Sequence, residues 1–434
     1  MILRVAPAGQ LKGKLFLPAS KSYSIRSFVV AALGGASRII HPSNCDDAVI
    51  ARQTALALGA SVHRLRDNRW QVKADPTKPL PSRIHVKESG TVLRFLIPLA
   101  VARGGGTRIT GEGTLRGRPN TFLAETLRGM GAQVRGAEGN DGIPVHIGTS
   151  PIAAGNIRIN GSLSSQFISA LLLTLPLLGD DSYLKLTGKI VSADYIDMTV
   201  RIMAKSGVKV RTRGSSEYFV ESGQRYRGLG SMTVPSDDGL AAFHLAAAAL
   251  LPSEVIFEGH FNADLPQADG HIYDLLTRMG VKFSKTQRSI RIRGPFALRG
   301  GRFSLRDCPD LVPIMSVLAL FAKGTTRLVD IGHARVKESD RISDLRQELL
   351  KIGADVRETR DQLIIKPAGP YKKDCLLDPH RDHRLAMAFA VLGLKIGVRV
   401  KDIECTRKSY PDFPRDFHTL GAALFQGRKR FRPV

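Results

Sequence analysis

Six times along this chain a helix-like run ends in glycine, a small residue follows, and a short strand-like stretch begins. The marks are Leu58-Gly59-Ala60, Met130-Gly131-Ala132, Ser206-Gly207-Val208, Met279-Gly280-Val281, Ile352-Gly353-Ala354 and Leu420-Gly421-Ala422. Their glycines lie 72, 76, 73, 73 and 68 residues apart. Glycine at such a point reads as the left-handed residue that closes a helix before a strand. A second mark runs in step, where a polar turn leads from a strand into a long apolar helix. It falls at Ser20-Lys21-Ser22, Ser89-Gly90-Thr91, Ser164-Ser165-Gln166, Ser236-Asp237-Asp238, Pro309-Asp310 and His383-Arg384. Several of the helices that follow, 167–178 and 385–394 among them, are apolar nearly all round, and a helix without a polar face is a buried helix. Self-similarity at a fixed period defines a repeat architecture. The unit reads βαβαββ, with the first helix buried and the second amphipathic.

Six such units fill the 434 residues. The first is entered near Pro18 and the fourth near Pro235, which leaves the strand-like stretch 14–17 ahead of the first unit and assigns it to the second half. The expectation is an α/β (α+β) fold in two domains of three units each, 19–235 and 236–434 joined by 1–18, with a hinge near Pro18 and Pro235. The buried helices set the chemistry. Their N-termini carry unpaired N–H groups and a positive partial charge. Three packed side by side make an anion-attracting surface, and Lys21, Arg26, Arg94 and Arg384 add formal charge there. Ordinary N-capping accounts for Ser20 and Ser236. It does not account for cations at helix N-termini, where they oppose the macrodipole. Two such surfaces facing each other across a hinge would form a cleft for a small polyanion.

Composition agrees with an anionic partner without choosing one. There are 64 Lys and Arg against 39 Asp and Glu, a formal charge of +25. Nucleic acid, an acidic surface and a phosphorylated substrate would all answer to that. With 6% aromatic residues and no basic stripe interleaved with them, an RNA-binding or RNA-end-processing role rests on net charge alone. The dense basic tail 427–434 reads as a frayed, solvated end. No C-x-x-C pairing occurs among Cys45, Cys308, Cys375 and Cys405. Cys375, His380 and His383 lack a fourth ligand at a recognised spacing, so neither metal nor cofactor is expected. The start of the chain does not read as a signal peptide. The longest apolar run, 241–251, is broken by His244 and is too short to span a bilayer. These features predict a protein of the reducing cytoplasm with no membrane or nucleic-acid partner.

The densest charge cluster is Arg335-Val336-Lys337-Glu338-Ser339-Asp340-Arg341. One reading is a solvated helix start, with Ser339 as N-cap and Asp340 as a first-turn acid ahead of Ile342, Leu345 and Leu349. The other is a catalytic cluster, with cations to grip an anion and a carboxyl to move a proton.

Taken in order, the motifs resemble those of the enolpyruvyl transferases, and of their shikimate branch above all. Pro18-Ala19-Ser20-Lys21-Ser22 with Arg26, Gly90-Thr91 with Arg94, Arg118-Pro119, Ser164-Ser165-Gln166, Ser192 with Tyr195, Asp310, Arg335 to Arg341, Asp382-His383-Arg384 and Lys408 carry the likeness along nearly the whole chain. The resemblance implies inside-out α/β barrel domains and a monomer. It also implies transfer of the enolpyruvyl group of phosphoenolpyruvate to the 5-hydroxyl of shikimate 3-phosphate, with release of phosphate through a tetrahedral intermediate. By the same resemblance Lys21, Ser22, Arg26, Ser164, Ser165, Gln166, Ser192, Tyr195, Asp310, His333 and Lys337 would hold shikimate 3-phosphate. Lys21, Gly90, Arg118, Gln166, Arg341, Arg384 and Lys408 would surround phosphoenolpyruvate. Bidentate arginine suits both carboxylate and phosphate. Asp310 would take the hydroxyl proton and Glu338 would protonate the methylene carbon, with Lys21 a third candidate for either task.

Two positions depart from the family pattern. Glu88 and His333 stand where asparagine is common. The sister enzymes that use UDP-N-acetylglucosamine carry a cysteine on a mobile loop equivalent to 111–120, and this chain has none there. The repeat bears on the charged cluster as well. It places Lys337, Glu338 and Arg341 in the loop position that holds Arg118, Tyr195 and Lys408 in other units, so they are expected to face inward.

Overall fold

The computed structural model describes residues 1–104, 106–426 and 429–430. All six punctuating glycines hold positive φ, between 83° and 99°. In each case the small residue after the glycine donates its N–H to the carbonyl five positions back: Ala60 to Ala55, Ala132 to Leu127, Val208 to Met203, Val281 to Leu276, Ala354 to Leu349 and Ala422 to Phe417. That is the Schellman closure, and it satisfies a carbonyl the helix end would otherwise leave open. The residue after each glycine is also buried, which explains why the sequence keeps it small.

The buried helices are α1 (Lys21–Leu33), α3 (Gly90–Ala102), α5 (Ser165–Thr174), α7 (Asp238–Leu250), α9 (Val312–Leu320) and α11 (His383–Ile396). Between them run α2 (Asp46–Ala57), α4 (Thr121–Gly129), α6 (Ala193–Lys205), α8 (Ile272–Arg278), α10 (Arg341–Lys351) and α12 (Phe413–Thr419). Every residue of α7 and of α9 is buried. A fully buried Leu, Ile or Val there contributes roughly 1.5–3 kcal/mol relative to exposure, so these helices need no polar face. The helix expected over 167–178 ends at Thr174 and passes into a 3-10 turn, Leu175–Leu177, at Pro176. His244 lies inside α7 as a core residue. Its Nε2 stands 2.8 Å from Tyr410 Oη, which itself donates to Asp416, so the ring nitrogen is the donor. Burial pulls the imidazole down to about 3, so it stays neutral.

Among the described residues, five four-stranded sheets each hold a parallel pair followed by an antiparallel hairpin, while in a sixth, five-stranded sheet Ile2–Val5 takes a place in the antiparallel part. In one of the five, Gly155–Asn160 lies parallel to Ser182–Thr187, which pairs antiparallel with Glu217–Val220 and through it with Arg211–Arg213. Two compact units result, one of Ala19–Val234 and one of Met1–Pro18 with Pro235–Val434. Within the first, Gly230–Thr233 returns to lie parallel to Ala36–Ile40. Within the second, Leu11–Phe16 lies parallel to Ser253–Glu258. Ile2–Val5 there pairs antiparallel with both Val398–Lys401 and Leu424–Gln426. Most of the basic tail falls outside the described residues. Lys429–Arg430 form a short antiparallel pairing with Phe425 and Gln426, so that stretch is not frayed. Among the described residues no helix is long and apolar enough to cross a membrane.

Candidate active site

In the unit Ala19–Val234 the polar side chains gather at the N-termini of the buried helices. Ser20 caps α1 by accepting from the Tyr23 N–H at 3.4 Å. Lys21 stands in the first turn, where its charge opposes the helix dipole. Asp47, in the acidic first turn of α2, supplies the counter-charge at 3.2 Å. One turn on, Arg26 is enclosed. Its Nε donates to Thr199 Oγ1 at 2.9 Å, Nη1 to the Ser22 carbonyl at 3.2 Å and Nη2 to the Tyr195 carbonyl at 2.9 Å. Burial lowers its pKa to about 10, against the opposing pull of Tyr23 and Tyr195, and it remains charged at neutral pH. Arg26 therefore ties α1 to α6 and fixes the backbone at Ser22 and Tyr195. Ser192 precedes α6 in the left-handed region at φ 55°, a conformation that costs a non-glycine residue on the order of 1 kcal/mol and sharpens the turn into the helix.

Arg94 performs the corresponding task for α3 and α5. Its Nη1 donates to Gln166 Oε1 at 2.7 Å and to Ser164 Oγ at 3.4 Å, its Nη2 to the Pro119 carbonyl, and its Nε to Asn120. Gln166 in turn donates to Thr91 Oγ1 at 3.0 Å, which brings the first turns of α3 and α5 together. Ser164 caps α5 and Ser165 is buried behind it. Gly90 opens α3, and a Cβ on it would stand 2.7 Å from Arg118 Nη1 and 2.9 Å from Arg118 Cζ. The glycine is what lets that guanidinium rest on the helix end. The departure at Glu88 has a local reason. Its carboxylate accepts from Thr114 N–H and Oγ1 and so latches the turn Gly113–Gly117 that delivers Arg118.

In the other unit the first turns of α7 and α11 and the 3-10 turn Pro309–Leu311 ahead of α9 meet around a charged cluster. Arg341 is 1% exposed and faces three carboxylates. Nη1 lies 2.6 Å from Asp310, Nη2 2.9 Å from Glu338 and Nε 2.7 Å from Asp382. Arg384 reaches Asp310 at 3.0 Å, Lys337 stands 3.9 Å from Asp310, and Lys408 stands 3.6 Å from Glu338. Burial pushes the Asp310 carboxyl upward, but Arg384, Arg341 and Lys337 outweigh it and hold it well below the usual range. Burial works against the Arg341 charge too, and Asp382, Asp310 and Glu338 more than restore it. His333 is buried in the 3-10 turn Gly332–Val336, just ahead of Lys337.

Two capping assignments need correction. Asp340, not Ser339, caps α10, accepting from the N–H groups of Ile342 and Ser343. Ser339 instead donates toward Asp382 at 3.4 Å. Asp237, not Ser236, caps α7, while Ser236 bonds the Leu17 carbonyl and the His260 N–H. Asp382 stands in the motif Asp382-His383-Arg384 named from sequence, but its pairing and those of the other cation partners were missed. Asp47, Asn120, Thr199, Asp269 and Asp382 each fix a cation, and only Asp47 had a local cue, its place in an acidic helix start. Cys375, His380 and His383 do not converge. His380 pairs with Glu348 at 3.2 Å while His383 is buried beside Asp382. No group of three or more potential metal ligands occurs among the described residues.

Solved structures with this fold include an EPSP synthase and an enolpyruvyl transferase. An EPSP synthase from Acinetobacter baumannii aligns over 98% of this chain and all of its own, with a TM-score of 0.80 at 24% identity. The enolpyruvyl transferase NikO from Streptomyces tendae aligns over 98% of both chains, with a TM-score of 0.77 at 17% identity. At these identities they speak for the fold. Sequence narrows the class. The profile of EPSP synthase (3-phosphoshikimate 1-carboxyvinyltransferase) matches residues 5–417. The 3-phosphoshikimate 1-carboxyvinyltransferase of Methanosarcina mazei is 35% identical over 421 residues, 95% of this chain and 96% of its own. That of Methanosphaera stadtmanae is 35% identical over 432 residues, 97% of this chain and 99% of its own. The chain belongs to the EPSP synthase family.

Proposed function

We propose that this chain transfers the enolpyruvyl group of phosphoenolpyruvate to the 5-hydroxyl of shikimate 3-phosphate, releasing phosphate. The observation that carries the reading is the cluster around Arg341, where cations and ionisable carboxyls stand within contact distance in a buried setting. The shikimate oxygen bonds to C2 of phosphoenolpyruvate while a proton adds to C3. The C2–O bond to phosphate then breaks, and C3 gives up a proton to restore the double bond.

Asp310 is the base for the 5-hydroxyl, since its cations keep it ionised and ready to accept. Glu338 is the proton donor to C3. Glu338 stands 2.9 Å from Arg341 and 3.6 Å from Lys408, two of the groups assigned to phosphoenolpyruvate. Lys21 is the third proton carrier, with Asp47 fixing its ammonium. Arg118, Arg341, Arg384 and Lys408 grip phosphoenolpyruvate. Ser22, Ser164, Ser165, Ser192 and Tyr195 set out the hydroxyl and backbone groups for shikimate 3-phosphate, with Arg26 holding them in register and Lys337 and His333 as further contacts. Gln166 serves both substrates.

The test is phosphate release on mixing phosphoenolpyruvate with shikimate 3-phosphate, with UDP-N-acetylglucosamine as the control acceptor. Release with the first and none with the control is expected. Release with neither acceptor would sink the proposal. Gly90→Ala is a sharper probe, because its methyl group must push the Arg118 guanidinium away. The KM for phosphoenolpyruvate should rise about tenfold with the KM for shikimate 3-phosphate little changed. Equal rises in both would show a general disturbance instead.

A further inference from the structure

One buried carboxylate that pairs with a cation of the cluster has no part in the proton transfers proposed above. Asp269 lies in the 3-10 turn Ala268–His271 that leads into α8, and it is 5% exposed. Its Oδ2 is 3.3 Å from Arg384 Nη2, the same nitrogen that stands 3.0 Å from Asp310 Oδ2. Arg384 Nη1 meanwhile donates to the Gly239 carbonyl in the first turn of α7 at 3.4 Å. The guanidinium is thus held by three acceptors from three elements. A Cβ on Gly239 would stand 2.2 Å from Asp269 Oδ2 and 2.9 Å from Arg384 Nη1. Gly239 leaves room for this ion pair on the end of α7, as Gly90 leaves room for Arg118 on the end of α3.

The arrangement matters because Asp310 cannot be a constant partner for Arg384. In the reaction proposed above, on which this inference rests, Asp310 accepts a proton and loses its charge. A buried guanidinium without a counter-charge is costly and tends to move. Burial pushes the Asp269 carboxyl up to about 7, while Arg384 pulls it down and Asp310 pushes it further up. Neutralising Asp310 therefore favours ionisation of Asp269. We infer that Asp269 is a positioning residue, which holds Arg384 against the α7 N-terminus while Asp310 gains and loses its proton.

The experiment compares wild type, Asp269→Ala, Asp269→Asn and Gly239→Ala in steady-state phosphate release, with thermal unfolding measured alongside. Asp269→Ala should raise the KM for phosphoenolpyruvate about tenfold or more and change the KM for shikimate 3-phosphate by less than about threefold. Asp269→Asn should recover most of that loss, since its amide oxygen still accepts from Arg384. Gly239→Ala should reproduce the defect of Asp269→Ala by forcing the pair apart. Parallel rises in both KM values, an Asn variant as impaired as Ala, or a wild-type KM in Gly239→Ala would each overturn the inference. If wild type releases no phosphate, the enzymatic reading falls and this inference falls with it. If wild type turns over and the variants match it, only this inference falls.

Discussion

Asp310→Ala should lower kcat by about 10²–10⁴, the usual contribution of a positioned acid–base group, without weakening substrate binding. The carboxylate lies 2.6 Å from Arg341 and 3.0 Å from Arg384. Its removal frees both guanidinium groups for substrate anions, so the KM for phosphoenolpyruvate should hold steady or fall. This separates a base from a binding residue, whose loss would raise KM. A kcat within about tenfold of wild type would remove Asp310 from the base role. The pH profile offers a second check. Three cations keep Asp310 ionised to well below the ordinary carboxylate range, so the acid limb of kcat near neutrality must come from another group.

Arg341→Met should be the most destabilising single change in the cluster. The substitution leaves Asp382, at 0% exposure, with Glu338 and Asp310 around an apolar side chain. Breaking a buried pair by removing one partner costs about 3–5 kcal/mol, and here one cation serves three anions. Urea unfolding should show a loss of that size, and a loss below about 1 kcal/mol would mean the carboxylates find other partners or take up protons. The pH dependence has a defined sign. The folded-state pKa of Asp310 is depressed, so its contribution to stability is present above the unfolded value of about 4 and is lost as pH falls through the folded value. Arg341→Met removes much of that depression and should move acid unfolding to higher pH.

The repeat was legible because its cause is local. A helix that must stop and turn into a strand needs a residue at positive φ, and glycine meets that need wherever it occurs. The six glycines therefore announced six helix ends with no tertiary information. The buried helices were legible for a similar reason, since apolar residues on every side leave no face for water. Caps were less secure. Ser339 and Asp340 are both good caps in adjacent positions, and only the path of the chain decides between them. Apart from Asp47, the partners of the cations could not be paired with them from sequence. Asp382 meets Arg341 across 41 residues and Asp269 meets Arg384 across 115, and no spacing rule reaches that far. The net charge was no guide to the cluster either. Lys337, Arg341, Arg384 and Lys408 are matched there by Asp269, Asp310, Glu338 and Asp382. The surplus of cations lies elsewhere, on exposed strand residues such as Arg211 and Arg213.

The strand pairings also impose an order on synthesis. All the strands of the unit Ala19–Val234 leave the ribosome consecutively, and its last, Gly230–Thr233, completes the sheet begun at Ala36. That unit can close as soon as it emerges. Ile2–Val5 and Leu11–Phe16 emerge before it and have no partners until Ser253–Glu258 and Val398–Lys401 are made. Translation proceeds at about 5–20 residues per second, so these two strand edges stay open for tens of seconds. An open edge is a template for wrong pairing. Leu11–Phe16 carries Lys12, Gly13 and Lys14 in its middle, and two lysines with a glycine are the kind of residues that keep a waiting strand from pairing with another chain.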